Sequence, residues 1–71
     1  MEENVFPQRL RKLREREGKS RVVLSQLCGL SKNMISRYER GERVPSLKDA
    51  ALLAEHFGVS LDFLCGREKK F

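Results

Sequence analysis

Apolar residues recur at three- and four-residue spacing along most of the chain and break off at glycines. No run of alternating apolar and polar residues is long enough to suggest a strand. The pattern predicts an all-α chain of about five short helices. The first is expected to start near Pro7, whose fixed φ suits a first helical position, to turn Leu10 and Leu13 inward, and to run to Glu17 before Gly18. Ser20 is suited to cap a second helix with Leu24, Leu27 and Cys28 on its inner side. Gly29 then offers the left-handed backbone that a sharp turn needs. Ser31 is expected to cap a third helix, residues 32–40, in which Ile35 and Tyr38 face the core while Lys32, Asn33, Ser36 and Arg37 face out. Residues 42–45 read as a loop. Ser46 followed by Asp49 has the form of a capping box opening a fourth helix, rich in Ala50, Ala51, Leu52, Leu53 and Phe57 and closed by Gly58. A last helix, residues 60–64, lays Leu61, Phe63 and Leu64 over the core as a lid. Residues 1–66 read as one domain and residues 67–71 as a basic tail.

Length and charge narrow the function classes. A chain of 71 residues hides only about 60 % of the surface its unfolded form exposes, which leaves little core for a catalytic pocket. Its 15 Lys+Arg against 10 Asp+Glu give a net charge of +5, which favours anionic partners, nucleic acid first and an anionic membrane second. No apolar run approaches the roughly 20 residues that cross a bilayer, and the start Met1-Glu2-Glu3-Asn4 lacks the layout of a secretory signal. A cytoplasmic location is expected. The first helix is basic and amphipathic, but its apolar face around Leu10 and Leu13 is too narrow for stable insertion, so no membrane partner is expected.

Cys28 and Cys65 lie far from any Cys-x-x-Cys spacing and His56 is the single histidine, which excludes a zinc finger. Each cysteine stands where an apolar residue is expected, so both read as small, reduced, buried hydrophobes. No metal, no cofactor and no small-molecule ligand is indicated. An enzyme has almost no support, because His56 falls in a core helix, no cysteine has a base within reach and the acidic residues are scattered.

Residues 20–45, SRVVLSQLCGLSKNMISRYERGERVP, resemble the helix-turn-helix of the phage Cro and repressor family, also called the xenobiotic-response-element family. The segments LRKLREREG before it and SLKDAALLAEHFGVSLDFLCG after it resemble the first and the closing two helices of the same five-helix, lambda-repressor-like domain, so residues 6–66 are covered. The spacing has its own physical logic. A tight two-helix hairpin needs a small side chain at Ser25, a permissive backbone at Gly29 and an apolar wedge at Ile35, and all three are present.

The resemblance implies a sequence-specific DNA-binding transcriptional regulator of the repressor kind, with no enzymatic activity, acting on double-stranded DNA as a homodimer. It assigns base reading to Lys32, Asn33, Ser36 and Arg37. Those types suit the task, since Lys and Arg donate to guanine O6 and N7 and Asn pairs with adenine N6 and N7. Met34, between them, is expected to turn toward protein rather than to a thymine methyl. Phosphate contacts fall to Ser20, Arg21, Arg40 and Arg43, with Arg9 and Lys12 as candidates for further reach against the simpler reading of a solvated face. Arg14 and Glu39 match positions that form a structural ion pair between the first and third helices of the family.

The chain also departs from the family pattern. Arg21 replaces a common glutamine, and Val22 and Val23 occupy positions that are commonly polar, so that Val23 and Leu27 form an apolar pair that reads as edge packing or as a partner contact. An alternative function on the same fold is an antitoxin or a protein-interaction module. The closing helix around Leu61, Phe63 and Leu64, or the tail, is the expected pairing surface.

Overall fold

The structure, a computed structural model, describes residues 5–66; residues 1–4 and the basic tail 67–71 lie outside them. Five helices follow one another, and no strand occurs among the described residues: α1 Phe6–Glu17, α2 Arg21–Leu27, α3 Met34–Glu39, α4 Leu47–Phe57 and α5 Leu61–Leu64. Three serines set helix starts, Ser20 and Ser46 as the sequence suggests and Ser60 in addition. Ser20 Oγ accepts from the Val23 N–H at 3.1 Å, Ser46 Oγ from Asp49 at 3.0 Å and Ser60 Oγ from Phe63 at 2.9 Å, so each satisfies an orphan donor of the first turn.

The core forms where the apolar stripes meet. Phe6, Leu10 and Leu13 of α1, Leu24 of α2, Ile35 and Tyr38 of α3, Leu53 and Ala54 of α4 and Leu64 of α5 are all buried in one cluster with Cys28. α1 packs on α3 and α5, α2 on α3, and α4 on α5. The Phe6 and Tyr38 rings pack edge to face with centroids 5.6 Å apart, which ties the start of α1 to the last turn of α3.

Four expectations are corrected. Leu27 is 55 % exposed, not inward. The buried arc of α2 runs through Leu24, Cys28 and Ser25, and at about 100° per residue Leu27 lies roughly 110° from its centre. The third helix starts at Met34, two residues later than expected. Asn33 sits at φ −101°, ψ 8°, outside helical geometry, and the Met34 N–H closes a three-residue turn on the Ser31 carbonyl at 3.0 Å. The Ser31 cap is replaced by a contact from another helix: Ser25 Oγ on α2 accepts from the Ile35 N–H at 3.4 Å. Finally, Cys65 is exposed where α5 ends, while Cys28 is buried as read.

Candidate nucleic-acid interface

The reading element is positioned by the turn between α2 and α3. Gly29 adopts φ +72°, a left-handed conformation that costs a residue with a Cβ about 1 kcal/mol or more, and an added Cβ would meet nothing within 4 Å, so backbone geometry and not space calls for glycine. The turn is closed by the Leu30 N–H on the Ser25 carbonyl at 2.8 Å. Ser25 and Ile35 are both fully buried, and they meet where the Ile35 N–H donates to Ser25 Oγ between the two helices.

With Ile35 and Tyr38 inside, the opposite side of this segment faces out. Lys32, Asn33 and Arg37 are exposed, Ser36 is half-buried, and Met34 is half-buried against the core. Lys32 and Asn33 stand on the turn just ahead of α3 rather than in its first helical turn. Ser36 is not a bare reading residue, because its hydroxyl accepts from Arg40 Nη1. Arg40 also forks onto Glu42, Nε to Oε2 at 2.8 Å and Nη2 to Oε1 at 3.1 Å. That fork raises the Arg40 guanidinium and lowers the Glu42 carboxyl from their ordinary values, through the hydrogen bonds first and the charge second. Arg43 is exposed on the loop that follows.

Behind this face lies a buried carboxylate. The Glu39 side chain is 1 % exposed and receives Arg14 Nε at 2.6 Å and Arg14 Nη2 at 3.1 Å, a two-pronged contact joining α1 to α3. The hydrogen bonding of Arg14 to Glu39 is the chief reason the Arg14 guanidinium is raised, against burial that lowers it. Arg14 Nη1 also donates to the Lys19 carbonyl at 2.9 Å, so one guanidinium spans three segments. The same carboxylate takes Arg21 Nε at 2.9 Å, and Arg11 Nε stands 3.7 Å from it. Arg21, nominated for phosphate, is therefore also tied to the protein. No local pattern announces that tie, since residues 21 and 39 meet only when α2 folds back on α3.

Arg9, a candidate for further reach, lies over the Phe63 ring at 4.4 Å and donates to the Phe63 carbonyl, so it joins α1 to α5. Two further links escaped sequence reading. The Tyr38 hydroxyl donates to Asp49 Oδ2 at 2.5 Å, so the Asp49 carboxylate binds α3 instead of reaching back to its own helix as a capping box would. His56 Nε2 lies 2.8 Å from Glu17 Oε1, joining the ends of α4 and α1, and Lys19 Nζ is 3.3 Å from the same oxygen. Burial pushes the Glu17 carboxyl up, and the hydrogen bonds of His56 and Lys19 outweigh it and hold the group below its usual value. Among the described residues, no three His, Cys, Asp or Glu side chains are grouped to hold a metal ion, and no helix is long and apolar enough to cross a membrane.

Five helices in this order, with a glycine turn between the second and third and a basic outer side on the third, define an all-α helix-turn-helix domain. The chain belongs to the Helix-turn-helix family, in its Cro and repressor type: the family model matches residues 10–64. It is 40 % identical over 62 residues to the HTH-type transcriptional regulator AnsR of Bacillus subtilis (strain 168), an alignment covering 87 % of this chain and 53 % of that protein. It is 35 % identical over 60 residues to the SPbeta prophage-derived uncharacterized HTH-type transcriptional regulator YonR of the same organism, covering 84 % and 56 %. The cryptic phage CTXphi transcriptional repressor RstR of Vibrio cholerae serotype O1 is 30 % identical over 60 residues, covering 84 % and 54 %. The chain spans about half the length of these relatives. No solved structure matches it.

Proposed function

We propose that this chain is the sequence-specific DNA-binding part of a transcriptional regulator of the repressor kind, which lays α3 in the major groove. One observation carries the reading: Ile35 and Tyr38 are 0 % and 3 % exposed, while Lys32, Asn33 and Arg37 project from the other side of the same short segment. A helix about 10–12 Å across enters a groove about 12 Å wide, and side chains at its leading end then meet base edges. In this reading Lys32, Asn33 and Arg37 contact bases, joined by Ser36 once Arg40 turns from its hydroxyl to a phosphate. Ser20, Arg21, Arg40 and Arg43 hold the backbone and set register. Arg14, Ser25, Gly29, Ile35 and Glu39 build the platform. The relatives, two named as transcriptional regulators and one as a repressor, support the same class.

Pairing is part of the proposal. Six residues of α3 rise about 9 Å, the length of about three base-pair steps, too little to specify one site in a genome. Two copies reading half-sites about one helical turn apart supply the rest. The closing helix offers less of a pairing surface than its sequence implies, since Leu64 is fully buried. What lies outward there is an apolar groove of about 450 Å³ walled by Phe6, Pro45, Ala50, Leu61 and Cys65 and edged by Val44 and Leu47, which are 85 % and 77 % exposed. A cytoplasmic location, a non-enzymatic role and a single domain over residues 1–66 belong to the same reading.

The test is selection of bound sequences from a random duplex pool at low salt. A recovered motif of two half-sites supports the reading, and a pool without enrichment refutes it. One observation favours a second reading, an antitoxin or protein-interaction module: Val22, Val23 and Leu27 form an exposed apolar strip on α2. A second polypeptide that co-purifies in stoichiometric amount and is lost on Leu27→Lys would move the balance there.

A further inference from the structure

The surface where α1 meets the start of α2 holds an unbalanced set of charges. Arg11, Arg14 and Arg21 converge on the single buried Glu39 carboxylate. The Arg14 side chain is 10 % exposed and uses its two-pronged contact to neutralise that carboxylate, whereas Arg11 and Arg21 are 52 % and 47 % exposed. Arg21 Nε and Arg11 Nε address the same oxygen, Oε1, at 2.9 and 3.7 Å. Oε1 already accepts from Arg14 Nη2 at 3.1 Å as well as from Arg21 Nε, and Arg11 at 3.7 Å stands beyond hydrogen-bond reach of it. Glu15, exposed on α1, adds one more negative charge that acts on Arg14. Three guanidiniums against two carboxylates leave one positive charge, carried on the two side chains that face solvent.

Resting on the DNA-binding reading above, we propose that Arg11 and Arg21 form a two-guanidinium clamp for a single backbone phosphate, with the buried Glu39 carboxylate holding both in place from behind. Each guanidinium has five N–H donors in a planar fork. Arg21 spends its Nε–H on Glu39, which orients the fork and leaves the N–H donors of its terminal nitrogens for a ligand, on a side chain that is 47 % exposed. Arg11 reaches the same place from α1, so the phosphate is gripped by two helices at once and its one negative charge balances the excess. This extends the backbone-contacting surface beyond the helix-turn-helix to the first helix, at Arg11. Glu39 is a positioning residue in this scheme and touches no DNA.

The experiment measures affinity for a short mixed-sequence duplex across a salt series, since binding without sequence preference isolates backbone contacts. Log affinity should fall linearly with log salt, by about 0.9 for each phosphate neutralised. Arg11→Ala and Arg21→Ala are each expected to lower that slope by about 0.9, and the double variant by the same about 0.9, because one phosphate is lost in all three. Arg11→Lys, which keeps the charge, should restore the slope, and Lys48→Ala on the exposed side of α4 should leave it unchanged. Thermal unfolding accompanies each variant, with Arg11→Gln and Arg21→Gln replacing an alanine variant that does not fold. An Arg11→Ala protein with the full slope overturns the clamp, as does a double variant that loses twice the single value. Either result leaves the wild type binding DNA and the broader reading intact. A wild type without salt-dependent binding to duplex removes both.

Discussion

Glu39 shows how one side chain organises a small domain. A carboxylate 1 % exposed is tolerable only because Arg14 meets it with two hydrogen bonds and Arg21 with a third. Glu39→Gln removes the charge and leaves Arg14 beside a neutral amide, and is expected to cost about 3 kcal/mol or more in urea unfolding. Glu42→Gln breaks the exposed Arg40 fork and should leave stability unchanged within error, so the pair of variants separates a buried ion pair from a surface one. Tyr38 provides a titration signature. Burial first, and its hydrogen bond to Asp49 second, push its phenol up to about 12 from an ordinary value near 10. The folded state thus holds the proton more tightly than the unfolded chain, so this contribution is whole below about pH 10 and is lost as pH rises toward about 12. Tyr38→Phe should flatten the fall of stability across that window, measured by urea midpoints at successive pH values.

At the scale of elements, α3 is a six-residue helix that does not hold itself. It lacks a side-chain cap of its own, and its first free N–H groups look to the turn and to α2. Ser25→Ala keeps the hairpin small enough to close but orphans the Ile35 N–H, and is expected to cost about 1 kcal/mol in chemical unfolding. Ser31→Ala removes an exposed hydroxyl from the residue that sequence pattern favours as the cap, and should fall within about 0.5 kcal/mol of wild type. The reverse order of the two effects would show that Ser31 starts the helix. α2, by contrast, is legible from its own residues at its start, where Ser20 caps as read, and misread at its end, where Leu27 points to solvent.

For the whole molecule, the exposed Lys32, Asn33 and Arg37, the Arg11 and Arg21 pair and the apolar groove beside Val44 and Leu47 are separate features of the surface, and the proposed function gives each its own task. Two copies on one duplex are expected at saturation. Sedimentation of the protein with a duplex bearing the selected motif should give two chains per duplex, and Leu47→Glu, far from the reading residues in sequence, should return the ratio to one. A single chain per duplex in the wild type would refute pairing.

Sequence alone determined the helical class, the five elements, the glycine stops of α1 and α4 at Gly18 and Gly58 and the inner places of Leu10, Leu13, Ile35, Tyr38 and Leu53, because apolar period and capping chemistry act within a few residues of each other. It also singled out Arg14 with Glu39, through the family resemblance rather than through any local rule. The turn at Lys32 and Asn33, the exposure of Leu27, the hold of Ser25 on Ile35 and the convergence of Arg11 and Arg21 on Glu39 were decided only by the tertiary structure. Each depends on which side of one helix another helix occupies, and a chain read in one dimension has no coordinate for that.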